Sequence, residues 1–224
     1  AQAICEAATR PKTRFVSIKS EEQQAVLCLH RIRQGAIKDR TARINRMRGL
    51  LAEFGITMPV GRYSAQNAIG GILEDGENNL PFLARELIND LWQSIKGLNE
   101  EILKYDRKLY ALANQMKAAK RLMSIPGIGE ITATAVVATV NDAKHFDTSR
   151  SFAAWIGLVP RQYSTGGVVR LGRISKRGEK HIRTSLIHGA RAVIANCKNK
   201  TDRQQRRPVP LVLRFAEPKS CEIQ

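Results

Sequence analysis

Ser164 is a hydroxyl whose surroundings suit attack on phosphorus. It precedes Thr165-Gly166-Gly167, where the backbone is open enough for a phosphate to approach, and Arg161, Arg170 and Arg173 lie close in sequence to neutralise developing charge. A serine before paired glycines is also ordinary turn chemistry, and Thr165, Ser175 and Ser151 are rival hydroxyls. The other route to breaking a DNA strand needs two or three carboxylates gathered around metal ions. No such set is visible, because the acidic residues fall on long helical runs or in the 74–77 turn. His181 and His188 would share a helix face without carboxylates beside them, and Cys5, Cys28, Cys197 and Cys221 are scattered singly. No metal site is expected from these spacings.

A second place for chemistry is the run Ile125-Pro126-Gly127-Ile128-Gly129-Glu130-Ile131, a Pro-Gly-hydrophobic-Gly turn between two short helical stretches. Pro126 biases Ile125 away from the α region, while Gly127 and Gly129 permit angles and close approaches that a Cβ would block. This is a helix-hairpin-helix signature. The turn amides, with the start of the next helix, can receive a phosphate without regard to base sequence. An ordinary corner between two helices is the alternative.

Charge favours a polyanion. The 224 residues carry a formal net charge of +17, and Arg161 to Arg191 holds eight Lys or Arg residues against the single carboxylate Glu179. Such a density is the footprint expected of a phosphate backbone. The expected nucleic-acid contacts are Gly127, Ile128, Gly129, Arg161, Arg170, Arg173, Lys176, Arg177 and Arg183. Anionic membrane is the competitor, but no apolar run is long enough to span a bilayer and no secretory or lipidation signal is present. A cytoplasmic or nucleoid location follows as an expectation.

The elements that must position these residues read as mainly α. Residues 1–8 resemble the tail of a helix, and an extended stretch, Arg14 to Ile18, leads to Ser20, which with Gln23 forms a capping box. A long helix should then run to Gly55, with Val26, Leu29, Ile37, Ile44, Met47, Leu50 and Leu51 inward and Arg31, Arg33, Lys38, Arg40, Arg43, Arg46 and Arg48 outward. Residues 56–79 read as a linker with a small helix around Ala68 to Leu73. From 80 to 120, Ile88, Leu91, Ile95, Leu98, Ile102, Tyr105, Leu109, Leu112 and Met116 recur at steps of three and four. That heptad seam predicts a coiled-coil arm and homo-oligomerisation through 88–116, or packing of the same seam on the first long helix of its own chain. Residues 121–202 contain the hairpin, a short helix Phe152 to Ile156 stopped by Gly157, a Gly-rich loop or loose hairpin, and a last helix starting near Ser175 or Gly178. Residues 203–224 read as a disordered basic tail.

Several of these motifs occur together in a known order. The Pro-Gly-Ile-Gly hairpin, Phe152-Ala153-Ala154-Trp155-Ile156-Gly157-Leu158-Val159-Pro160-Arg161-Gln162, Ser164-Thr165-Gly166-Gly167, Leu171-Gly172-Arg173-Ile174-Ser175-Lys176-Arg177-Gly178 and Leu186-Ile187-His188-Gly189-Ala190-Arg191 resemble the C-terminal domain of the insertion-sequence "one-ten" transposases. These are DEDD enzymes regarded as bridge-RNA-guided recombinases. Residues 1–55 resemble the end of that family's RuvC-like domain, and 80–120 its coiled-coil arm. The resemblance covers Ala1 to about Asp202. It implies a two-part site, in which an acidic tetrad binds Mg2+ and a serine of the C-terminal domain attacks DNA. Ser164 best matches the serine, with Thr165 next because relatives often carry two serines there. DNA, a structured guide RNA and a second copy of the chain are the implied partners. The family pattern would put the last tetrad residues before Ala1, and the sequence departs from it after Asn199-Lys200-Thr201-Asp202. The expectation is a fragment that lacks the metal half of the site and is inactive alone.

Overall fold

The computed structural model describes residues 2–10, 18–140, 143 and 146–197. The extended stretch expected before Ile18 and the tail expected at 203–224 lie outside them. The chain divides into two compact units. One comprises Leu27–Gln115, and the other comprises Ala1–Val26 with Met116–Gln224.

The 27–115 unit is built on three helices: most of α2 (Glu21–Glu53), α3 (Arg62–Glu74) and α4 (Phe82–Gln115). The capping box forms in both directions, since the Gln23 amide donates to Ser20 Oγ at 3.2 Å and the Ser20 amide to Gln23 Oε1 at 3.0 Å. At its far end α2 closes in a Schellman motif. Gly55 takes φ +75°, the Ile56 amide reaches the Leu51 carbonyl and the Gly55 amide that of Ala52.

Helices α2 and α4 run antiparallel. Arg33 Nε donates to Asp106 Oδ1, Arg40 Nη1 donates to Asn99 Oδ1 at 3.0 Å, and Ile44, Met47 and Leu51 share one buried cluster with Ile88 and Ile95. The α4 seam is thus occupied by the chain's own first long helix. Ile88, Ile95, Ile102 and Leu109 are buried, which is the intrachain alternative among the two sequence expectations. Two cations expected on the outside of α2 are corrected by this pairing. Arg40 is 7% exposed, and Arg33 sits against Asp106. Burial, with Arg62 nearby, lowers the pKa of Arg40 below the ordinary arginine value. Arg31, Lys38 and Arg46 keep the outer face basic.

Residues 56–79 are more than a connection. Met58, Ala65 and Ile69 are buried in the same cluster. Asn78 Nδ2 donates to the Ile72 carbonyl at 2.7 Å and Arg85 Nη1 to the Leu73 carbonyl at 2.6 Å, closing the orphan acceptors at the end of α3.

The other unit contains α1 (Gln2–Thr9), the first turns of α2, α5 (Lys117–Met123), α6 (Glu130–Thr139), α7 (Ser149–Ile156), strands β1 (Pro160–Gln162) and β2 (Leu171–Ile174), and α8 (Lys180–Cys197). Its central element is α6, where Thr132, Ala133, Thr134, Ala135 and Ala138 are buried. Their small side chains allow close packing against both α5 and α8. The hydroxyl of Thr134 would be costly there, and it is satisfied by the Glu130 carbonyl at 2.7 Å. Ala135, Ile156 and Ile182 form the core, flanked by Phe152, Trp155 and Leu186. No helix of the described residues is long and apolar enough to cross a membrane.

Candidate nucleic-acid interface

Three local structures of this unit carry the expected contact residues. The first is the turn between α5 and α6. Gly127 takes φ +88°, and the Ile128 amide closes the turn on the Ile125 carbonyl at 3.1 Å. Gly129 is the N-cap of α6 and has no side chain to cap the first-turn amides. Those amides therefore lack an intrahelical acceptor and lie behind an exposed glycine. Ile128 faces inward, lining with Leu122, Phe152, Ile156 and Leu186 an apolar cavity of about 260 Å³.

The turn is held from behind by α8. A Cβ placed on Gly189 would fall 1.9 Å from the Gly127 carbonyl oxygen, so the two backbones touch. Sequence reading passed over Gly189. The available signal was a glycine in the middle of a helical pattern, which marks a close backbone approach when it is not an end.

The second structure is the corner where α7 ends. Thr148 caps the start of α7 by accepting from the Ser151 amide at 3.2 Å, and its hydroxyl meets that of Ser151 at 2.9 Å. The Ser151 hydroxyl is thereby engaged in helix capping. At the other end Gly157 is left-handed, and a Cβ there would lie 1.8 Å from the Arg177 carbonyl oxygen. Gly178 meets the Trp155 carbonyl as closely. Arg183 locks this corner: it is 8% exposed, and its Nη1 donates to the carbonyls of Ile156 at 2.8 Å and Arg177 at 3.3 Å. The structure therefore departs from the expectation of a surface contact at Arg183. Its guanidinium satisfies the last carbonyl of α7 and the Arg177 carbonyl of the loop before α8 from inside the unit. Lys176, by contrast, is exposed and adopts φ +55°, an unusual angle for a residue with a Cβ.

The third structure is the ribbon that carries Ser164. Strands β1 and β2 pair antiparallel with Gln162 opposite Leu171, and a bulge separates this pair from Pro160 opposite Ile174. Pairing continues outward through the Tyr163 amide to the Arg170 carbonyl at 2.9 Å and ends in a Thr165–Val168 bridge. Gly166 and Gly167 both have positive φ, the signature of a type I′ turn that matches the twist of the strands. Ser164 is exposed on the ribbon, not turned into the interior. Its Oγ accepts from Gln162 Nε2 at 2.9 Å and from the Arg170 amide at 3.3 Å. These two donors fix the hydroxyl and leave its proton free to point outward. Thr165 and Ser175 remain neighbours on the same ribbon and its exit.

Arg161, Arg170, Arg173, Lys176 and Arg177 are all exposed, and the fold gathers them on this ribbon and the loop that follows it. The Gly127–Gly129 turn is separate from them. It meets α8 at Gly189.

The chain is similar to known proteins over most of its length. Residues 119–206 match the family described as "Transposase IS116/IS110/IS902 family". The chain is 47% identical over 207 residues to a "probable family 20 transposase" of Pseudomonas aeruginosa, covering 92% of this chain and 61% of that protein. It is 44% identical over 204 residues to the transposase for insertion sequence element IS1111A of Coxiella burnetii, covering 91% and 56%. Against the transposase for insertion sequence element IS1328 of Yersinia enterocolitica it is 40% identical over 203 residues, covering 91% and 60%. The chain thus spans a little over half the length of these relatives.

Proposed function

The chain belongs to the IS116/IS110/IS902 transposase family, and from that premise we propose that it is the DNA-handling portion of a transposase for an insertion sequence, with Ser164 as its nucleophile. The observation that carries the reading is the exposed Ser164 hydroxyl, fixed by Gln162 and the Arg170 amide on a ribbon that bears three arginines.

In the proposed step Ser164 Oγ bonds to phosphorus while the bond from phosphorus to the departing sugar oxygen breaks. The hydroxyl proton ends on that oxygen. The exposed arginines of the ribbon lower the potential around that phosphate, and Arg161 and Arg170, on the face opposite Ser164, hold neighbouring phosphates of the strand. The Gly127–Gly129 turn, acting as a helix-hairpin-helix, holds a second phosphate of the same segment.

The family resemblance implies a magnesium-binding acidic tetrad. Among the described residues no group of three or more His, Cys, Asp or Glu could hold a metal ion, so they do not fit that role. On this reading the basic surfaces bind DNA, and cleavage would draw on a metal site of that kind. A structured guide RNA is a further proposed ligand of the basic surfaces, and the site of action is the bacterial cytoplasm. A homo-oligomer would use the flank of α4 left outside the α2 seam, where Leu103 and Tyr110 are exposed.

The test is a covalent-adduct assay with a chimera in which the N-terminal part of the Pseudomonas relative precedes residue 1. A DNA–protein species resistant to detergent should form, disappear in Ser164→Ala and survive in Thr165→Ala. Adducts that persist in Ser164→Ala would remove the nucleophile and leave the second sequence reading, a non-catalytic binding module.

A further inference from the structure

The ribbon exposes more apolar surface than phosphate binding requires. Val169 is 68% exposed, Leu171 63%, Tyr163 61% and Val168 56%, whereas Ile156 and Ile182 of the same unit are buried almost completely. Cross-strand pairing fixes which of these share a face. Gln162 lies opposite Leu171, so Ser164 falls opposite Val169, and residues two apart on one strand point the same way. The Gln162–Ser164 hydrogen bond agrees with that alternation. Gln162, Ser164, Val169 and Leu171 therefore occupy one face. Tyr163, Thr165, Val168 and Arg170 occupy the other, where the Tyr163 ring sits over Gly172.

An apolar pair beside the exposed Ser164 hydroxyl, on a ribbon edged by Arg161, Arg170 and Arg173, calls for a partner that is anionic outside and apolar between its charges. Nucleic acid has that character, because sugar and base faces lie just inside the phosphates. In an intact duplex the base faces are stacked away, and proteins reach them with aliphatic wedges that separate a base step.

We propose that Val169 and Leu171 form a strand-opening wedge, seated against an unstacked base and its sugar next to the phosphate that Ser164 faces. The inference rests on the nucleic-acid reading above but not on Ser164 being a nucleophile. Tyr163 and Val168, on the opposite face, are placed to hold the displaced neighbour. Strand opening next to the reacting phosphate would also present single-stranded bases for pairing with another strand.

The test uses the 224-residue chain at low salt with a DNA duplex carrying 2-aminopurine, and with the same duplex containing a short bubble of unpaired nucleotides. Binding to the intact duplex should raise the 2-aminopurine fluorescence. The Val169→Ser/Leu171→Ser chain should lose that rise and bind the intact duplex about tenfold more weakly, yet bind the bubble within about twofold of the unaltered chain, as expected when only the unstacking contact is lost. Both side chains are exposed, so an unchanged thermal melt should confirm that the fold persists. Equal loss on both duplexes, or an unchanged fluorescence rise, overturns the wedge while leaving DNA binding intact. Failure of the unaltered chain to bind either duplex overturns the wedge and the nucleic-acid reading together. Loss of binding to phosphatidylglycerol vesicles in place of DNA would assign the ribbon to a membrane, and loss of self-association to a second copy of the chain; either result overturns the proposal.

Discussion

Gly127 and Gly189 meet backbone to backbone: a Cβ on Gly127 would lie 2.8 Å from the Gly189 carbonyl oxygen, and one on Gly189 only 1.9 Å from the carbonyl oxygen of Gly127. The turn between α5 and α6 is therefore seated on α8 by the absence of two side chains. Gly189→Ala must push the turn and the helix apart, at a cost of about 1–3 kcal/mol for overpacking. Thermal unfolding should show a lower midpoint. Gly97→Ala, on α4 where a Cβ meets nothing within 4 Å, should instead raise stability by about 0.5–1 kcal/mol.

Arg183 and Arg170 should separate by the kind of damage they cause. Arg183→Met leaves the carbonyls of Ile156 and Arg177 without their buried cationic donor, a loss of about 1.5–3 kcal/mol visible in denaturant unfolding. Arg170→Ala should leave the unfolding midpoint nearly unchanged and weaken DNA binding. Reversed outcomes would mean that the two arginines have been assigned the wrong roles.

Lys176 holds a left-handed angle at a cost of about 1 kcal/mol or more, so Lys176→Gly should be neutral to stabilising in a thermal melt. If the side chain also contacts a phosphate, the same substitution reduces the salt dependence of DNA binding by about 0.9 in the log–log slope. A more stable protein with weaker binding is the expected combination.

In the 27–115 unit, Arg40 is buried on the α2–α4 seam and opposed by the charges of Arg62 and Arg33. Replacing such a cation with an apolar residue of similar volume is often neutral or stabilising. Arg40→Met together with Asn99→Leu should therefore match or exceed the unaltered stability. Asn99→Leu alone, which leaves the guanidinium without its partner, should lose about 1–3 kcal/mol.

These residues also mark where the sequence was legible. Local signals held well: Ser20 with Gln23, Gly55 and Gly157 each set a helix end by contacts within a few residues. The period of α4 announced a seam, but a period cannot say which helix fills it. On α2 the partner positions are interrupted by Arg33 and Arg40, so the inward stripe looked like part of a basic exterior. Only their pairing with Asp106 and Asn99, distant in sequence, shows that they face in. At the candidate site, the turn glycines and the ribbon arginines were visible as residue types. The seats behind them, Gly189 under the turn and Arg183 under the corner, depend on contacts that sequence spacing does not reveal.

The salt dependence of binding to a mixed-sequence DNA duplex tests the central claim most directly. If Arg161, Arg170, Arg173, Lys176 and Arg177 each neutralise a phosphate, log K should fall against log salt with a slope of about −4 to −5, and replacing Arg161, Arg170 and Arg173 together with alanine should shrink it by about 2.7. No binding at low salt, or a slope indifferent to those three replacements, would contradict the account.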